Sequence, residues 1–222
     1  MVRGKIAYFA PVMKHLLILI GCCCSLWAVA QEKPAVYQGY SGGMMLHTGY
    51  LFGTDPQAPV KNGRTCSPQG ATFGIGGAIR VHLLQHLRIG TEGYVSTMNS
   101  GMTDCSRLLQ KGSYLRSGWG GLLADAYWKK DRWIPYLGMG VGGGSLKGLY
   151  LLEGSQDDWA AESNAVAHKT PFVYVAPYVG VNFSLTKKIQ VSLKIDWMLA
   201  FHQSALVMPT GPRAYIGFMV NH

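Results

Sequence analysis

The chain has 222 residues, enough for one large domain with a real core. Hydrophobic residues make up 48% and charged residues only 14%, with a formal net charge of +9, a balance that excludes a disordered chain. The 29 glycines follow no Gly-X-Y period, which excludes collagen; with many aromatics and few charges, they point to a β protein in an unusual solvent.

Residues 1–30 read as an address. They contain no acid and carry Arg3, Lys5 and Lys14, then the apolar run Leu16 to Gly21, and end Ala28-Val29-Ala30 before Gln31. A basic start, a short apolar middle and a small-x-small end predict a cleaved secretory signal peptide. Its apolar part is shorter than the roughly 20 residues a spanning helix needs. Met13, just before Lys14, is a plausible start. Leu19-Ile20-Gly21-Cys22 offers a rival, since it resembles a lipoprotein cleavage site that would lipidate Cys22. The expected domain is then 31–222, with 17 basic residues against 11 acids and with Cys66 and Cys105 as its cysteines. No stretch after residue 30 is continuously apolar over 18 residues, so a helical membrane span is excluded there.

Eight strands are expected along this domain. The first lies near 42–52. In 71–82, Phe73, Ile75, Ile79 and Val81 oppose Gly74, Gly76, Ala78, Arg80 and His82. In 86–98, Leu87, Ile89 and Val95 oppose Arg88, Glu92 and Ser96. Less regular strands follow near 113–129 and 132–146. In 171–185, Val173, Val175, Val179, Val181 and Phe183 oppose Tyr174, Ala176, Tyr178, Gly180 and Asn182. In 188–201, Ile189, Val191, Leu193, Ile195, Trp197 and Leu199 oppose Gln190, Ser192, Lys194, Asp196 and Met198. The last strand lies near 212–221. Successive strand side chains point to opposite faces, so each strand has one apolar and one polar face.

The connections alternate. Those near 53–70, 99–112, 147–169 and 202–211 are long, whereas Leu83 to Gln85, Lys130-Asp131 and Thr186-Lys187 are short. Long loops on one side and tight turns on the other predict an all-β, eight-stranded antiparallel up-and-down transmembrane barrel. Closure also removes the strand edges that lipid does not tolerate.

On these residues the chain resembles the small eight-stranded outer-membrane barrels of the OmpA and OmpX kind. Pro135-Tyr136-Leu137-Gly138-Met139-Gly140-Val141-Gly142-Gly143 is similar to a glycine-rich strand common among them, and Arg213 to Val220 is similar to their final strand. The ending Val220-Asn221-His222 departs from the aromatic residue on which many of them finish. The nearest likeness is to uncharacterised barrels of Bacteroidetes-type bacteria. The resemblance implies a multi-pass protein of a Gram-negative outer membrane. The competing architecture is a soluble lipocalin-like barrel, with its apolar face inside around a ligand.

Strand parity turns Arg80, Arg88, Glu92, Asp125, Lys194, Asp196 and Arg213 inward. An eight-stranded lumen is just wide enough for side chains, and buried opposite charges are expected to pair. A closed, salt-bridged interior is therefore expected, with a narrow channel as the alternative. Tyr50, Phe52, Tyr94, Tyr114, Trp119, Tyr127, Trp128, Trp133, Tyr136, Trp197 and Phe218 lie near strand ends and are expected in interfacial girdles. Cys66 and Cys105 fall in the first two long loops, where they are free or form a disulfide. Asp157, Asp158, Trp159 and Glu162 give the third loop an acidic, aromatic tip suited to a partner.

His202-Gln203-Ser204 resembles the His-x-Ser of lipid A deacylases, but no acid follows Ser204 to orient the base, so no enzyme is expected. The glycine run at 138–142 lies in a strand and is no nucleotide fingerprint. No cofactor, metal or nucleic acid is implied. Lys61, Arg64, Arg107 and Lys111 in the loops could meet glycolipid phosphates of the lipopolysaccharide. Lys129, Lys130, Arg132, Lys187 and Lys188 in the turns could meet periplasmic partners. The expected role is structural or adhesive; rivals are a barrel subunit of a secretion or uptake complex, a channel, and a lipid-modifying enzyme.

Overall fold

A computed structural model describes residues 37–52, 60–61, 64–65, 69–99, 114–151, 165–203 and 205–222. The expected signal peptide, Cys22, Cys66, Cys105, Arg107, Lys111, Asp157, Asp158, Trp159, Glu162 and Ser204 lie outside the described residues.

Eight strands close a barrel: β1 (Tyr37–Leu51), β2 (Gly70–Leu83), β3 (Leu87–Asn99), β4 (Tyr114–Tyr127), β5 (Trp133–Leu151), β6 (Ala165–Ser184), β7 (Ile189–His202) and β8 (Ala205–Asn221). Each strand pairs antiparallel with its sequence neighbours, and β1 pairs with β8 to shut the ring. This is the expected fold class. A short ribbon, Val60–Lys61 with Arg64–Thr65, sits within the first long connection. Among the described residues there is no helix.

The alternation read from the sequence sets the two faces of the wall. Ile75, Ile79, Ile89, Leu122, Leu137, Val173, Val179, Leu193 and Ile195 point outward and are exposed. Their neighbours in the chain point into the lumen, where the larger side chains are buried and glycines such as Gly74, Gly76 and Gly138 are half-buried. A lipocalin-like arrangement would be the reverse. Four outward glycines, Gly77, Gly93, Gly120 and Gly143, are register partners across β2 to β5 and make a flat strip on the outer wall.

Turns at one end are tight. Leu84 and Asp131, each with positive φ, reverse the chain between β2 and β3 and between β4 and β5. At the other end β5 and β6 run on for 19 and 20 residues. At about 3.4 Å per residue, such strands are far longer than the roughly 25 Å apolar band of a barrel wall. The third long connection therefore spans 152–164, not 147–169, because residues 147–151 and 165–169 pair in the ladder.

The fourth expected loop, 202–211, is instead mostly strand. His202 pairs with Ala205 across a turn at Gln203, which has positive φ. The prolines and glycine of Met208-Pro209-Thr210-Gly211-Pro212 form a bulge between Val207 and Gly211. Thr210 holds it together: its Oγ1 donates to the Val207 carbonyl at 2.7 Å and accepts from the Ala200 N–H at 3.0 Å. Gly211 has φ of 150° and lies so close to the Tyr50 carbonyl that a β-carbon would collide with it.

Candidate functional site: the charged lumen

The seven inward charges form two linked clusters inside the barrel, each side chain at most 6% exposed. In the first, Asp125 on β4 accepts from Nε of Arg80 at 3.1 Å and from Nε of its register partner Arg88. The Tyr178 hydroxyl donates to the same carboxylate at 3.1 Å. Both guanidinium groups lie over the Tyr136 ring, 5.3 and 4.8 Å from its centre, and Arg88 also covers Tyr127.

In the second cluster, Arg213 on β8 forks onto Asp196 on β7, with Nε and Nη2 donating at 2.8 and 3.0 Å. Tyr215 adds a hydroxyl donor to Asp196 at 2.8 Å. Lys194 donates to Glu92 at 2.9 Å and lies 3.6 Å from Asp196. Tyr174 donates to the other Glu92 oxygen at 3.2 Å. The Lys194 ammonium also faces the rings of Tyr94, Tyr178 and Tyr215.

The Lys194–Glu92 contact crosses the whole lumen. Lys194 is on β7 and Glu92 on β3, four strands apart in either direction round the ring. A 2.9 Å ion pair between opposite walls blocks the interior at that level.

Four of the expected girdle residues belong to this interior. Tyr94, Trp119, Tyr127 and Tyr136 are 3%, 5%, 0% and 2% exposed. They share strand parity with Glu92, Ser117, Asp125 and Ile134, and face the lumen with them. Glycines on the same face make room for their rings: a β-carbon on Gly76 would meet Tyr94, one on Gly180 the Tyr136 ring, and one on Gly144 Phe172 and Trp119. The exposed aromatics form bands at both ends instead. Tyr50, Phe52 and Trp197 cluster toward the loop end, and Trp133 lies tilted against Phe183, ring centres 4.7 Å apart, toward the turn end.

His47 joins this set without being among the residues the sequence singles out. It sits among Tyr94, Trp119 and Tyr215, with ring centres 5.1 to 5.5 Å away, and neither ring nitrogen has a hydrogen-bond partner. Its parity with Ser41 and Met45 on β1 was the available signal. At the turn end Ser41 bonds His82 at 3.0 Å, and Asn182 bonds Gln190 at 3.2 Å. His202 bonds the Pro171 carbonyl at 2.7 Å through Nδ1, a contact between neighbouring strands with no acid in it. Among the described residues no group of histidine, cysteine and acidic side chains could hold a metal ion.

The closed antiparallel ring with an apolar outer wall and a charged lumen defines the class: the fold is that of the eight-stranded outer-membrane barrels. No protein-family model matches the chain, and no curated protein matches it. Among solved structures, the chain is similar to neisserial surface protein A, with a TM-score of 0.55 at 10% identity over 82% of this chain and 97% of that one. It is similar to the outer membrane protein OprG of Pseudomonas aeruginosa, with a TM-score of 0.54 at 10% identity over 84% and 97%. The attachment invasion locus protein Ail of Yersinia pestis, solved with a heparin analogue, matches with a TM-score of 0.50 at 8% identity over 83% and 99%. At such identities the likeness is one of fold.

Proposed function

We propose that the protein is an outer-membrane barrel that conducts nothing and serves as a rigid scaffold for its loops, in a structural or adhesive role. The observation that carries this reading is the Lys194–Glu92 ion pair joining opposite walls of the lumen. A channel would need that pair, and the aromatic rings stacked around it, to separate. The exposed apolar wall needs lipid, and a closed ring leaves no unpaired edge in it.

In this reading residues 1–30 direct export and are removed, the tight turns face the periplasm, and the long connections face outward. The partners are outer-membrane lipid and lipopolysaccharide along the wall, and a protein held by the loops or the turns. The turn end, where Lys129, Arg132 and Lys187 outnumber Asp131 around a cavity of about 370 Å³, supports an anionic partner on that side. The protein is not an enzyme in this account, since its buried carboxylates are engaged by lumen cations and tyrosine hydroxyls, away from any lipid substrate.

The test combines two measurements. Outer-membrane fractions should contain the protein, with a gel mobility that shifts on boiling. Planar bilayers carrying the folded protein should show no conductance steps above background. Stable conductance would replace the scaffold with a pore, and a soluble protein without a heat shift would remove it from the membrane.

A further inference from the structure

The lumen charges do not balance. Among the described residues it buries four cations, Arg80, Arg88, Lys194 and Arg213, against three carboxylates, Glu92, Asp125 and Asp196. Geometry places the surplus. Arg213 is matched by Asp196 in a two-point fork, and Lys194 by Glu92. Asp125 alone serves both Arg80 and Arg88, and each arginine reaches it through Nε. The outer N–H groups are left over: Nη1 and Nη2 of Arg80 and Nη2 of Arg88 are buried without an acceptor.

An arginine cannot shed its proton in a protein, so the surplus charge is permanent. Stacking over Tyr136 offsets part of it and supplies no lone pair to the N–H groups. A buried unpaired charge is costly, and bare guanidinium donors in a low dielectric attract whatever negative group fits. The lumen of an eight-stranded barrel admits little beyond its own side chains, so the group must be small.

We infer that the barrel interior binds one small monovalent inorganic anion of the halide class on the free N–H groups of Arg80, beside Arg88. A single negative charge brings the lumen to neutrality. The anion is built in on folding and acts as a structural counter-ion, independent of what the loops bind.

The experiment is urea unfolding of the full protein in zwitterionic detergent, with chloride replaced stepwise by gluconate at constant ionic strength. The wild type should gain stability with the logarithm of chloride concentration above half-saturation, with a rise in midpoint on the order of 0.5 M urea once chloride is tenfold above it. The ³⁵Cl resonance should broaden with the folded protein and sharpen when bromide competes. Arg80→Gln removes the surplus charge and should abolish both effects, whereas Arg80→Lys keeps the charge and should retain the chloride dependence. Should Arg80→Gln fail to fold, Arg88→Gln restores the same balance and takes its place. Equal wild-type midpoints in chloride and gluconate would overturn the inference, leaving water on these donors. An unchanged chloride effect in the charge-balanced variant would also overturn it, by placing the anion elsewhere.

Discussion

Arg213 and Asp196 are direct register partners on neighbouring strands, and the guanidinium occupies both carboxylate oxygens, at 2.8 and 3.0 Å. The sheet itself therefore sets this pair, with no loop or lumen-crossing contact needed to align it. Asp196→Asn leaves Arg213 buried with one amide oxygen in place of its carboxylate, and Lys194 with one carboxylate fewer. Breaking a buried pair from one side costs about 3–5 kcal/mol. Urea unfolding in lipid vesicles should show a loss of that size, and Asp131→Asn, at an exposed turn, should stay within about 0.5 kcal/mol of wild type.

Lys194 and Glu92 meet across the lumen, so their coupling depends on closure of the ring. A double-mutant cycle with Lys194→Met and Glu92→Gln should give an interaction energy between about 0.5 and 3 kcal/mol. Additive single effects would mean that the two walls do not meet in the folded protein.

Gly180 lies under the Tyr136 ring, and Gly93 faces outward with nothing nearer its β-carbon position than 3.9 Å. Gly180→Val should destabilise the barrel by about 1–3 kcal/mol through overpacking. Gly93→Ala should be close to neutral in the same unfolding measurement. Equal effects at the two sites would contradict the assignment of inner and outer faces.

Ile195 is exposed on the outer wall of β7, between two buried lumen residues, Lys194 and Asp196. In a bilayer Ile195→Arg should cost about 2–4 kcal/mol if the site lies near the midplane. Were the wall facing water, the same change would be nearly silent. Comparing unfolding in vesicles with unfolding of Leu185→Arg, at the exposed turn after β6, separates these cases.

The barrel was legible in the sequence because a strand writes its two faces in a period of two. Ile189 to Leu199 shows this without interruption, and the inward position of all seven charges follows from parity alone. Which charges meet was not legible, because Lys194 and Glu92 are 102 residues apart and their contact depends on ring closure and strand stagger. Tyr94, Trp119, Tyr127 and Tyr136 read as girdle residues by their place along the strands, whereas their parity puts them in the lumen. An aromatic ring suits an interface, but it also fills a lumen lined with glycine. The stretch from His202 to Gly211 reads as a loop for a local reason. Pro209, Gly211 and Pro212 are ordinary loop residues, and only the bulge held by Thr210 lets them continue a strand.

The central claim, a barrel with lipid outside and a sealed charged lumen inside, is tested most directly by spin-label accessibility along β7. Single cysteines at Ile189, Val191, Leu193, Ile195 and Trp197, in a protein whose native cysteines are replaced by serine, carry nitroxides in liposomes. The account predicts that all five sites collide more with dissolved oxygen than with a water-soluble nickel chelate, most strongly near the middle of the strand. Nickel-chelate accessibility along the whole series would contradict it, placing this face in water and the barrel outside the membrane.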